Sequence, residues 1–370
     1  MDDTGKQYAT QAGRGRDADS PTEIPFPGWK DIIYRLYRAI TEDRILLTAA
    51  GTTFYMLLAL VPTLSAFVSV YGLFNDPSTV LGHVELLAGL VPPGVLEVLR
   101  EQLTRLTSES DSTLGLTLLI SLAVAMWSAS NGVKAMFEAM NIAYHEQERR
   151  SFIKLNAVAL LFTLGGSIAA LLVSAVVLIL PALLAYFSAG EGMQWVIRVA
   201  AYAVMLIMLS LGVAALYRWG PSREQARWRW ITPGAVLAVL ALGVTSVLYS
   251  WYVANFSDDN AAYGSLGAVI GLMIWLWISV TIITVGAELN SEIEHQTAVD
   301  STTGEEKPIG ERGANMADTV GRAWPPDREK VERKTRDRSP AGKFSLGSLL
   351  FALPAAVALH AANSRRRKGK

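Results

Sequence analysis

Six apolar runs dominate this chain. Each exceeds the ~20 residues that cross the hydrocarbon core of a bilayer at ~1.5 Å per helical residue. They are Leu46–Tyr71, Leu114–Met136, Ala157–Phe187, Val196–Trp219, Ile231–Ala254 and Gly264–Leu289. A soluble helix needs only one apolar face, so continuous runs of this length have no place in an ordinary core. The runs do not alternate, and barrel strands would be about half as long. Charged residues are 18% of the 370 and hydrophobic ones 51%, against roughly 25% charged in a typical soluble domain. A soluble enzyme and a disordered chain are therefore excluded. The chain has no cysteine, which excludes disulfides, thiolate metal sites and cysteine nucleophiles. The predicted fold is all-α: a polytopic integral membrane protein with six transmembrane helices. Pro181 is expected to kink or end the long third run, and Pro62 is tolerable inside the first.

Orientation follows from the basic residues. The net charge is +0, yet 24 lysines and arginines fall before the first run, in the second and fourth connections, with Arg218 at the inner end of the fourth run included, and in 291–343. The alternate side holds only Arg100, Arg105 and, at the outer end of the fourth run, Arg198. That asymmetry predicts both ends of the bundle in the cytoplasm. Trp219, Trp228 and Trp230 are expected to form an aromatic belt at the inner interface.

The flanks divide by composition. Residues 1–27 read as a disordered cytoplasmic N-terminus, polar and poor in large apolar groups. Residues 28–45 read as an amphipathic helix, with Trp29, Ile32, Ile33, Leu36, Tyr37 and Ile40 at helical spacing. It either lies on the cytoplasmic leaflet or packs on the underside of the bundle. The transmembrane domain takes 46–295, and its one long connection, 73–113, is acidic. Residues 296–343 read as a disordered charged cytoplasmic tail. Residues 344–370 form a short apolar segment with a basic end, read as interfacial or buried rather than as a seventh span. No cleavable leader is expected, because the first apolar run follows a long polar lead.

Polar residues within the runs are the candidate functional groups. Asn131, Lys134, Glu138 and Asn141 fall on one helical face, and Glu288 lies near the inner end of the sixth run. Charges at such depth are costly and need partners or water. Lys134, Glu138 and Glu288 are thus expected to share a wet cavity open to the cytoplasm, unless the Lys134 stretch is merely interfacial. Gly264, Gly267 and Gly271 are read as a helix-packing face. The four histidines are far apart in sequence, so no catalytic, cofactor or metal residues are expected.

Several blocks carry a family resemblance. They are Ala49-Ala50-Gly51-Thr52-Thr53-Phe54-Tyr55, Trp127-Ser128-Ala129-Ser130-Asn131-Gly132, Ala139-Met140-Asn141-Ile142-Ala143-Tyr144, Leu216-Tyr217-Arg218-Trp219-Gly220-Pro221, Thr232-Pro233-Gly234-Ala235, Tyr263-Gly264-Ser265-Leu266-Gly267-Ala268 and Gly286-Ala287-Glu288-Leu289-Asn290. In this order they resemble the BrkB/YihY family of bacterial inner-membrane proteins, over about residues 30–295. The resemblance implies a six-helix, multi-pass protein of the bacterial inner membrane. Some members are linked by name to virulence, and others carry an old ribonuclease BN label. That label is not supported by the residues, and no enzyme activity is expected.

Two functions fit. One is a transporter or exporter acting on an amphipathic or envelope-linked substrate. The other is a non-transporting membrane scaffold for envelope biogenesis. Membrane lipids are the expected surroundings, an amphipathic or lipid-linked molecule the expected partner, and no specific nucleic acid or cofactor is expected. Oligomeric state is left open. A transporter should hold Lys134 or Glu288 in a polar cavity, whereas a scaffold should have a packed interior.

Overall fold

A computed structural model of the chain describes residues 9–72, 100, 116–186, 191–256 and 265–324. Among the described residues seven long α-helices are formed: α1 Phe26–Glu42, α2 Ile45–Gly72, α3 Leu116–Ala143, α4 Phe152–Tyr186, α5 Glu191–Trp219, α6 Trp228–Phe256 and α7 Ser265–Glu294. Each of the six apolar runs falls on one of α2 to α7. Among the described residues there is no strand, only an isolated bridge between Ala226 and Thr302. The acidic connection 73–113, apart from Arg100, and the segment 344–370 lie outside the described residues.

Among the described residues four stretches are long and apolar enough to cross a membrane: Phe152–Val173, Gly192–Trp219, Trp228–Val253 and Val269–Glu294. A fifth is added if α1 and the start of α2, which meet at 58°, count together. Only 11% to 28% of the residues in the four stretches are buried. Leu161, Ile168, Val199, Leu206, Val244 and Leu248 all face outward. A soluble bundle would turn these side chains inward; here they suit lipid contact.

The packed core lies at one end of the bundle. Ala49, Met140, Ala143, Tyr144, Tyr217, Ile231, Ala235 and Ala287 meet there. Small residues let the helices approach closely. A Cβ on Gly132 would sit 3.5 Å from the Met56 backbone, where α3 lies along α2. Pro233 lies inside α6, just past its first turn, and removes the N–H that would bond the Arg229 carbonyl.

Three sequence expectations are corrected at the flanks. The lead is folded in its described part, because its polar groups bond to the opposite flank. Arg16, buried, donates to Gln296 O at 3.0 Å and to Gly321 O at 2.7 Å. The expected disordered tail is likewise folded from 296 to 324. Thr297 donates to Ala18 O at 2.8 Å, and Arg312 clamps the loop through Ala317 O and Ala298 O, both at 2.7 Å. Trp324 stacks on Tyr34 of α1 at 3.8 Å. Finally, Trp230 is fully buried in a small core with Ile32 and Ile293 rather than lying in a belt. Trp219 and Trp228 do meet edge to face at the rim, with the Arg218 guanidinium near both rings.

The amphipathic helix α1 uses both of its faces. Asp31, Ile32 and Ala39 are buried against the bundle end, while Phe26, Ile33 and Tyr37 point outward. Packing beneath the bundle thus leaves an outer apolar stripe available to an interface.

Candidate functional site

The polar stripe on α3 divides. Lys134 donates to Asn156 Oδ1 on α4 at 2.9 Å and lies over the Trp127 ring. Glu138 is exposed, and Asn131 is half-buried. Asn141 is buried; its side-chain oxygen accepts from Ser222 N at 2.7 Å and its amide donates to Glu148 at 3.2 Å. The expected grouping of Lys134 and Glu138 with Glu288 is therefore not formed. Lys134 found a neutral partner on the neighbouring helix, and Glu138 turned to the outside.

Glu288 instead meets residues the sequence did not single out. It lies on α7, fully buried, and neither carboxylate oxygen has a hydrogen-bond partner. Asp43 follows α1 directly and His145 follows Tyr144 at the end of α3. One ligand atom from each of Asp43, His145 and Glu288 lies within 4.8 Å of the others. His145 Nε2 is 3.1 Å from Asp43 Oδ2. That hydrogen bond raises the histidine above its ordinary range, against the effect of burial. The sequence singles out neither Asp43 nor His145, and the structure brings both beside Glu288.

The turns that deliver these side chains are unusual. Among the described residues, Arg44 (φ 52°) and His145 (φ 54°) are the non-glycine residues with positive φ. Such backbone is uncommon outside glycine and collects at functional positions. At His145 it ends α3: His145 N bonds to Ile142 O at 3.0 Å and Glu146 N to Asn141 O at 2.7 Å. The chain therefore reverses sharply and places the imidazole beside Asp43.

Charged groups around the triad are already paired. Glu292 takes the Arg35 guanidinium, which also donates to Glu292 O at 3.0 Å. His295 stands 3.5 Å from Glu292, and burial holds it below its ordinary range. Arg223 and Glu294 form a buried pair at 2.7 Å. Burial opposes ionisation of Glu148, but hydrogen bonds from Arg150 outweigh it and hold the carboxyl at about 2.

A second junction joins α6 to α7. Asn290 Oδ1 accepts from Gly234 N at 2.7 Å and Asn290 Nδ2 donates to Ile231 O at 2.9 Å. These two backbone groups flank Pro233, whose missing N–H perturbs the first turn of α6. Tyr217 adds a bond to Ile283 O at 2.7 Å. Of the small-residue face, Gly271 backs onto Tyr249, whose hydroxyl donates to Gly271 O at 2.6 Å. Gly267 lies one turn earlier on α7, and Gly264 is outside the described residues.

This is an all-helical protein with several membrane-length apolar helices and a polar, largely paired end. The family model described as "Virulence factor BrkB" matches residues 36–310, and the chain belongs to that family of membrane proteins. Among its relatives is the ribonuclease-like protein YfkH of Bacillus subtilis, 31% identical over 66% of this chain and 88% of that one. UPF0761 membrane proteins are similar too. That of Methylibium petroleiphilum is 24% identical over 70% of this chain and 61% of its own length. That of Alteromonas mediterranea is 25% identical over 72% and 89% respectively. No solved structure matches.

Proposed function

We infer that the protein is a six-span bacterial inner-membrane protein, transporter- or exporter-like, acting on an amphipathic or envelope-linked substrate. The observation that carries the transport reading is Glu288, an acid buried without a side-chain partner in an apolar helix. Ionisable residues at such positions are costly, and they mark substrate or ion pathways more often than structure. A packed core around Ala49, Met140 and Ala287 favours the second reading, a scaffold. In neither reading is the chain an enzyme, and purified protein should leave RNA intact. The test compares lipids and metabolites of a deletion strain with those of its complemented control. One amphipathic envelope precursor should build up in the deletion and return to normal with the wild-type gene. Lys134→Gln and Glu288→Gln, at normal abundance, should not restore it. Full restoration by both variants would retire transport and leave the scaffold.

Six crossings are supported by a parity argument. The connections after α1, α3, α5 and α7 bond to one another: His145 to Asp43, Arg149 N to Ser222 Oγ, and Asn315 to Glu146. Bonded segments share one side of a membrane, so an even number of crossings separates each from the next. Five crossings would put bonded partners on opposite faces. The same end carries the basic residues of the lead and the short connections, which favours the cytoplasm. Ser222 is buried, so labelling is better placed at Glu306, which is exposed. In intact spheroplasts an impermeant thiol reagent should label Ser108→Cys and spare Glu306→Cys. Labelling of Glu306→Cys would overturn the orientation.

A further inference from the structure

We propose that Asp43, His145 and Glu288 form a binding site for one divalent transition-metal cation. The three come from the turn after α1, the end of α3 and the body of α7, and one ligand atom of each lies within 4.8 Å of the others. Tetrahedral ligand pairs around an ion at ~2.1 Å stand ~3.4 Å apart, so small side-chain rotations close the set. One imidazole and two carboxylates suit zinc or manganese rather than calcium, which takes six to eight oxygens.

Glu288 is the independent observation that points to a ligand. It is 0% exposed, and both its oxygens lack a hydrogen-bond partner. A lone buried carboxylate costs several kcal/mol, so it needs a cation or a proton. The nearby arginines are committed elsewhere: Arg35 to Glu292, Arg223 to Glu294 and Arg218 to Ala226 O. Two carboxylates, a neutral imidazole and a divalent ion sum to zero charge, which suits a site at the edge of the hydrocarbon. Burial is graded across the set. The His145 side chain is 43% exposed, Asp43 20% and Glu288 buried, which gives an ion an entry path from the polar end. Three protein ligands leave at least one coordination position for water or another molecule.

The test uses the full chain purified in detergent without chelator, with Zn²⁺ or Mn²⁺ alone as probe. After gel filtration, wild type should retain about one ion per chain, and added ion should raise its melting temperature. His145→Ala sits at a partly exposed position, so it should fold and lose affinity more than about tenfold. Glu288→Gln should do the same where it folds; where it does not, His145→Ala carries the test. Failure of wild type to retain either ion, or unchanged ion content in His145→Ala, would overturn the site. So would a Glu288→Gln variant that melts above wild type with no ion bound, because a proton alone would then account for the buried acid.

Discussion

Replacing Arg223 with methionine should destabilise the protein by about 3–5 kcal/mol. Arg223 and Glu294 are 2% and 0% exposed and meet at 2.7 Å. The guanidinium also lies 5.0 Å over the Tyr144 ring. Glu294 accepts one further bond, from Ser301 Oγ at 3.0 Å. Without the arginine, Glu294 would keep only that neutral donor inside a dry core. An uncompensated buried charge is far more damaging than the loss of the whole pair. The double variant Arg223→Met with Glu294→Leu should therefore recover much of what the single one loses. Unfolding in detergent and abundance in cells give the readout. A single variant within about 1 kcal/mol of wild type would show that the pair is not isolated from water.

Gly234→Ala should cost about 3 kcal/mol. A Cβ there would lie 2.1 Å from Gly286 O and 2.6 Å from the Asn290 side chain. The nearest obstacle is backbone, which cannot rotate away, so α6 and α7 would have to separate. Separation breaks the two Asn290 bonds that satisfy the backbone beside Pro233. Gly243→Ala, on the same helix with open space around it, is the internal control and should melt near wild type. Equal melting of the two variants would contradict the close approach.

The helices were legible because a bilayer imposes a length and a composition that stand out in sequence. The family blocks were legible too, but their reason was not. Thr232-Pro233-Gly234-Ala235 and Gly286-Ala287-Glu288-Leu289-Asn290 face each other, and Asn290 bonds the α6 backbone on both sides of Pro233. The triad could not be read, because Asp43 and His145 are separated by 102 positions and neither lies within an apolar run. Their signal was the two short breaks they occupy, next to Arg44 and Tyr144. The stripe on α3 was read from spacing alone, which places Lys134 and Glu138 on one face but does not see Asn156 on the next helix. The flanks were misread because composition measures only how much apolar surface a segment can bury. Arg16, Thr297 and Arg312 are ordered instead by bonds to backbone carbonyls.

The bonds between lead and tail also set an order of events during biogenesis. Arg16 waits for Gln296 and Gly321, 280 and 305 positions further along the chain. At ~5–20 residues per second, roughly 15–60 s separate the synthesis of the two sides. Until then the lead has only local partners, such as Asp31 for Arg14 at 2.7 Å, and the apolar helices between must be made first. On the six-span reading the closure acts as a completion latch: a chain with a single helix left unthreaded would hold lead and tail on opposite faces, so both flanks would stay loose and open to proteolysis.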